Sequence, residues 1–130
     1  MKPPTNVKLF ESAIAIYWFD EDGILYLLAK DTPRTIENAK ENYELINRIC
    51  NNQKVCVIMD TTKAAIADKD IRKYVTSSFA NYFRAIAFIS ESSIGRMISL
   101  FFIVLQQKGL SMNTFSNEME AKEWIKKYNT

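Results

Sequence analysis

Two short runs, Val55-Cys56-Val57-Ile58-Met59 and Ala85-Ile86-Ala87-Phe88-Ile89, contain no charged or hydrogen-bonding side chain that would seek water. A strand that is oily at every position must be covered on both faces, which is the condition of an inner strand in a sheet flanked by helices. The neighbouring segments supply those helices. Thr35 is placed to cap a helix on which Ile36, Ala39, Tyr43, Ile46 and Cys50 recur at three or four residues, ending near Asn51-Asn52. Between the two oily runs, Asp68 opens a second helix with a stripe of Ile71, Val75, Phe79, Tyr82 and Phe83. Ser92 or Ser93 caps a third, through Met97, Ile98, Phe101, Phe102 and Leu105, with Gly109 placed to end it.

The two ends of the chain complete the pattern. In the segment Leu9 to Phe19 the apolar run begins at Ala13, and a second run covers Ile24 to Ala29. Asp20-Glu21-Asp22-Gly23 joins them, which predicts a β-hairpin. Leu110 to Phe115 is a last strand. Ser116 or Asn117, with Glu120 three residues after Asn117, opens a final helix that packs Ala121, Trp124, Ile125 and Tyr128. The order ββαβαβαβα predicts an α/β fold. Its mixed, mostly parallel five-stranded sheet is led by the N-terminal hairpin and covered by four helices. At 130 residues, 48% apolar and 25% charged, residues 1–130 form one domain, with 1–7 as a loose N-terminal arm.

The chain contains no histidine. That removes Ser-His and Cys-His nucleophile pairs, the histidine general base and histidine-bearing zinc sites together. Three glycines are too few for a phosphate-cradling loop. Cys50 and Cys56 lack the short spacings of metal or redox pairs and read as reduced core thiols. Asp20, Glu21 and Asp22 read as a solvated loop, and Asp68 with Asp70 suits the start of a helix dipole. No catalytic set, metal site or cofactor is therefore expected. A net charge of +2, from 17 basic and 15 acidic residues spread along the chain, gives no field for nucleic acid. The aromatic group Tyr17-Trp18-Phe19 has acidic or aliphatic neighbours and reads as core. The run Met97 to Leu105 is about half the length of a spanning helix. Met1-Lys2-Pro3-Pro4 does not open a signal peptide, so a cytoplasmic location is expected.

The order of elements, the strand Val55 to Asp60, the phrase Ala85 to Ile89 before a serine-capped helix, and the ending Phe115 to Ile125 together resemble the STAS-like domains. The nearest subgroup is the SpoIIAA-like one, relatives of the anti-sigma-factor antagonists, and the resemblance covers about residues 8–128. In those antagonists an aspartate ends a strand, a second aspartate follows eight residues on, and next comes the serine that a kinase phosphorylates. Asp60 and Asp68 match the aspartates, but Lys69 stands where the serine would be. The resemblance thus implies a module without the usual phosphoswitch. Thr61 and Thr62 are either substitute acceptors or turn residues.

Beyond the carboxyl ends of parallel strands, where open sheets bind ligands, the chain gathers two sets of candidates. Asp60, Thr61, Thr62, Asp68, Lys69 and Arg72 form the partner-binding set. Ser92, Ser93 and Arg96, with Phe101 and Phe102, form the anion- or ligand-binding set, although capping also explains the serines. The expected function is a non-enzymatic regulatory or scaffolding module that binds a protein partner, a homodimer included. The alternative is a small-ligand or lipid-binding domain using the apolar helix at 94–105, whose surplus oil serves the core, a subunit contact or a cavity.

Overall fold

Turn chemistry divides the N-terminal segment more finely than its oil suggests. Ser12 Oγ accepts from the amides of Ile14 at 3.2 Å and Ala15 at 3.1 Å, and this local turn splits the expected first strand in two. The computed structural model describes residues 1–104 and 109–129. In it β1 is Phe10–Glu11, β2 Ala15–Phe19 and β3 Leu25–Ala29, so the sheet has six strands instead of five. Then follow α1 Ile36–Ile49, β4 Val55–Asp60, α2 Lys69–Tyr82, β5 Phe83–Ile89, α3 Ser93–Val104, β6 Ser111–Phe115, α4 Glu118–Ile125 and a 3-10 turn at Lys126–Tyr128. Leu105, expected on α3, lies outside the described residues.

The strands lie in sequence order across the sheet. β1, β2 and β3 pair antiparallel, and β3 to β6 pair parallel, with Tyr26, Ile58, Ala87 and Asn113 in one row. Alternation along each strand sends its side chains to two separate cores. Leu27, Val57, Met59, Ile86 and Phe88 meet α1, α2 and α3 on one face. Cys56, Ile58, Ala85 and Ala87 meet Ala121 and Ile125 of α4 on the other. The alanines let α4 lie close to the strands. Residues 1–7 have no helix or strand, yet Met1 and Val7 pack beside α4's core.

The starts of α1, α2 and α4 follow the capping signals with one exception. Thr35 and Asn38 cap each other reciprocally at 3.0 and 2.9 Å, and Asn117 accepts from Glu120 N at 2.9 Å. After α1, Asn51 and Asn52 take left-handed φ values of 54° and 60°, which asparagine tolerates better than most residues. Asp68 occupies the cap position of α2, but its side chain makes no capping bond. Phe83, expected on the stripe of α2, opens β5 directly after Tyr82. The acidic hairpin loop also does more than meet solvent, because Lys122 of α4 lies 3.3 Å from Asp20 and 3.5 Å from Glu21.

Burial sets the titration of this core. It pushes the Cys50 thiol up to about 11 and raises Cys56, and it raises the phenols of Tyr17, Tyr26 and Tyr43. Each folded value lies above its ordinary one, 9.0 for thiol and 10.0 for phenol, so folding favours the neutral form. That contribution is complete below about pH 9 and is lost as pH rises through the folded values. Unfolding free energy measured by urea titration is expected to fall as pH rises above about 9. A thiol reagent at about pH 8 should label neither cysteine until denaturant is added. Rapid labelling of the folded protein would contradict this burial.

Candidate functional site

At the carboxyl end of β4 the chain turns through Asp60, Thr61 and Thr62, and hydrogen bonds draw in the loop that follows β5. Asp60 is 1% exposed and lies 3.0 Å from the amine of Met1. Its Oδ1 accepts from Thr62 N at 2.9 Å and Thr62 Oγ1 at 2.6 Å. Thr62 Oγ1 in turn accepts from Glu91 N at 2.9 Å. Thr61 is buried; it donates to the Gly95 carbonyl at 2.9 Å and lies 2.9 Å from Ser99 Oγ. Ser92 caps α3 by accepting from Gly95 N at 2.9 Å while donating to the Thr62 carbonyl at 2.8 Å. Ser90 Oγ takes the amide of Ser92 at 3.2 Å. Asp60, Thr61, Thr62 and Ser92, four of the groups expected beyond the strand ends, thus form with Ser90 and Ser99 one web that fastens α3 to β4. The amides of Ser92 and Gly95, which the anion reading draws on, are engaged within that web.

The other candidates lie outside it. Asp68, Lys69, Ser93 and Arg96 are exposed. Arg72 is half-buried, with its guanidinium 5.2 Å from the centre of the Phe101 ring and Nη1 donating to the Ala67 carbonyl at 3.0 Å. Phe102 is half-buried and sits between Phe79 at 5.1 Å and Phe88 at 5.8 Å.

From the sequence the run Met97 to Leu105 is expected to be a buried helix, but its described part, to Val104, is mostly not buried. On α3 only Gly95, Ile98 and Ser99 are buried. Met97 is 41% exposed, Phe101 42% and Val104 80%, so the oily surplus faces outward. The reason is the web. It pulls the glycine and serine side of the helix onto β4, and turning that side inward turns Met97, Phe101 and Val104 out.

Beside α3 lies a cavity of about 100 Å³. Its floor is Leu27, Ala29 and Met59 of the sheet, and Tyr43, Phe79 and Phe102 close it from the helices. The rim, at the carboxyl ends of β3 and β4, is the segment Ala64-Ala65-Ile66-Ala67 with Arg34 and Arg72. The polar wall groups are engaged: Asn42 Oδ1 accepts from Ser12 at 2.7 Å and from the Tyr17 hydroxyl, and Tyr43 donates to the Val75 carbonyl at 2.7 Å. Sequence reasoning placed Arg72, Phe101 and Phe102 near this site but missed Arg34, Asn42 and Tyr43. Arg34 carried a legible signal, being a cation directly before a helix cap, where the dipole disfavours it. Among the described residues no group of three or more Cys, Asp or Glu could hold a metal ion, and no helix is long and apolar enough to cross a membrane.

A sheet led by an antiparallel hairpin, with parallel strands after it and a crevice at their carboxyl ends, defines a SpoIIAA-like α/β domain. The same fold is seen in the crystal structure of an uncharacterized protein of the DUF3478 family from Shewanella loihica PV-4. That structure has a TM-score of 0.58 and 12% identity, over 95% of this chain and 98% of the other. By its sequence the chain belongs to the family described as domain of unknown function DUF7793, whose model matches residues 17–129. No curated protein matches the sequence.

The seat of α3 leaves no room at residue 95. A methyl group on Gly95 would overlap the Thr61 carbonyl and Ser90 Oγ and sit 2.9 Å from Ser92 Oγ. Alanine at a helix interior normally gains about 0.5–1 kcal/mol over glycine. Here the sign should reverse, with Gly95→Ala costing about 1–3 kcal/mol through overpacking. Urea denaturation reads the difference, and a neutral or stabilising result would contradict the close seat.

Proposed function

We propose that this chain is a non-enzymatic binding domain whose ligand is a small molecule with an apolar body, taken into the cavity between the sheet and the layer of α1, α2 and α3. The supporting observation is that cavity. It is lined almost wholly by apolar side chains, stands at the carboxyl ends of β3 and β4, and is bounded by Phe101 and Phe102 of the candidate ligand set. The absence of histidine and of phosphate-binding loops supports a binding role over catalysis. The free, buried cysteines suit a cytoplasmic setting.

Native mass spectrometry of the purified chain tests the reading. A reproducible adduct of defined mass is expected, and Val75→Phe, which fills the cavity from α2, should remove it while leaving the chain folded. Repeated absence of an adduct, or its retention by the filled variant, would count against the cavity as the site.

A second reading rests on a separate observation. Ile94, Met97, Phe101 and Val104 are exposed at helical spacing on α3, and Arg72 over Phe101 joins that stripe to the start of α2 with Asp68 and Lys69. This surface suits a protein partner, with a second copy of the chain as the first to test. Sedimentation of the purified protein should show a dimer that Met97→Asp and Asp68→Arg each abolish. A monomer at all concentrations would reject self-association on this face, and a dimer untouched by both variants would place the contact elsewhere.

A further inference from the structure

Among the described residues the cavity is lined by only two charged side chains, Arg34 and Arg72, and by no carboxylate. Both stand on the same rim. Arg34 lies between β3 and α1, and Arg72 lies in the first turn of α2, beyond the carboxyl end of β4. Neither position favours a cation on local grounds, since the starts of helices carry the positive end of the dipole.

Neither arginine forms an ion pair among the described residues. Arg34 Nη1 donates to the Thr32 carbonyl, and Arg72 Nη1 to that of Ala67. A guanidinium has five N–H donors, so each keeps donors beyond these bonds. Burial lowers the basicity of Arg34, which marks a cation partly stripped of water, and the charge of Asp31 opposes this only through space. A desolvated guanidinium beside apolar walls is best completed by an anionic oxygen group, which accepts paired hydrogen bonds from it. The walls meanwhile accept the apolar remainder.

Building on the ligand-binding reading, we infer that the cavity takes an amphiphile whose compact anionic head, in its simplest form a carboxylate, is held at the rim by Arg34 and Arg72. Its apolar body runs between the sheet and α3, past Met59, Phe79 and Phe102. The volume of about 100 Å³ is somewhat below the roughly 150 Å³ that admits benzene in an engineered protein cavity. The enclosed body is therefore about six carbons or fewer.

The test is an NMR titration of the full chain with hexanoate, 1-hexanol and hexylamine, following backbone amides around the cavity. Hexanoate should bind roughly 10-fold or more tightly than 1-hexanol, and hexylamine most weakly. Arg34→Gln and Arg72→Gln, each checked for an unchanged amide spectrum away from the rim, should each erode the preference for hexanoate and leave 1-hexanol unaffected. Equal binding of hexanoate and 1-hexanol, a preference for hexylamine, or a hexanoate preference that survives both substitutions would overturn the anionic head while leaving an apolar ligand site in place. Failure of all three compounds to bind would overturn the ligand-binding reading together with it.

Discussion

The seating of α3's first turn on the end of β4 is the constraint from which the rest of the site follows. Gly95 lies against Thr61 and Ser90 with no space for a side-chain carbon, and the buried hydroxyls of Thr61 and Ser99 and the half-buried one of Ser92 bind helix and strand. A satisfied buried hydrogen bond contributes only about 1 kcal/mol, but leaving one of these groups unpaired costs about 1–3 kcal/mol. The web is therefore better understood as fixing one rotation of the helix than as a large store of stability. That rotation puts Gly95, Ile98 and Ser99 inward and exposes most of the bulky apolar side chains of α3.

The two faces of the sheet show why one packs closely on its helix at the central strands and the other keeps an apolar space there. On the α4 face, Ala85 and Ala87 oppose Ala121, and the small side chains are matched by a helix that comes close. On the opposite face Ala15 and Ala29 are equally small, but three helices share that side and leave space over them. Tyr43 joins α1 to α2 through the Val75 carbonyl and stacks on Tyr82 at 4.5 Å. α3 is held at its start by the web. Between these two fastenings the walls leave room, and the alanines of the rim do not fill it.

Most of the fold was legible in the sequence because its signals are local. The oily runs at Val55 and Ala85 are strands, Thr35 and Asn117 cap the helices they precede, and the hairpin turns where the acidic loop and Gly23 stand. Ser12 carried the signal for the sixth strand, but one turn residue in an apolar segment was outweighed by the oil around it. The site was legible only in part. Asp60, Thr61, Thr62 and Ser92 do converge, as the rule for strand ends implies, yet they converge on one another. The outward turn of Met97 and Phe101 could not be read from α3 alone, because an all-round apolar helix does not say which side its neighbours claim. Nor could the cavity, which is assembled from side chains far apart in sequence without a motif of its own.

The central claim is that the layer of α1, α2 and α3 leaves an apolar space against the sheet that a small molecule can enter. Xenon occupies dry apolar cavities without requiring any polar contact, so a crystal structure of the protein pressurised with xenon addresses that space directly. The gas should appear between Met59, Val75, Phe79 and Phe102, with the backbone of α3 unmoved. Side chains of α2 and α3 closed down on the strands, with no xenon on that face, would contradict it.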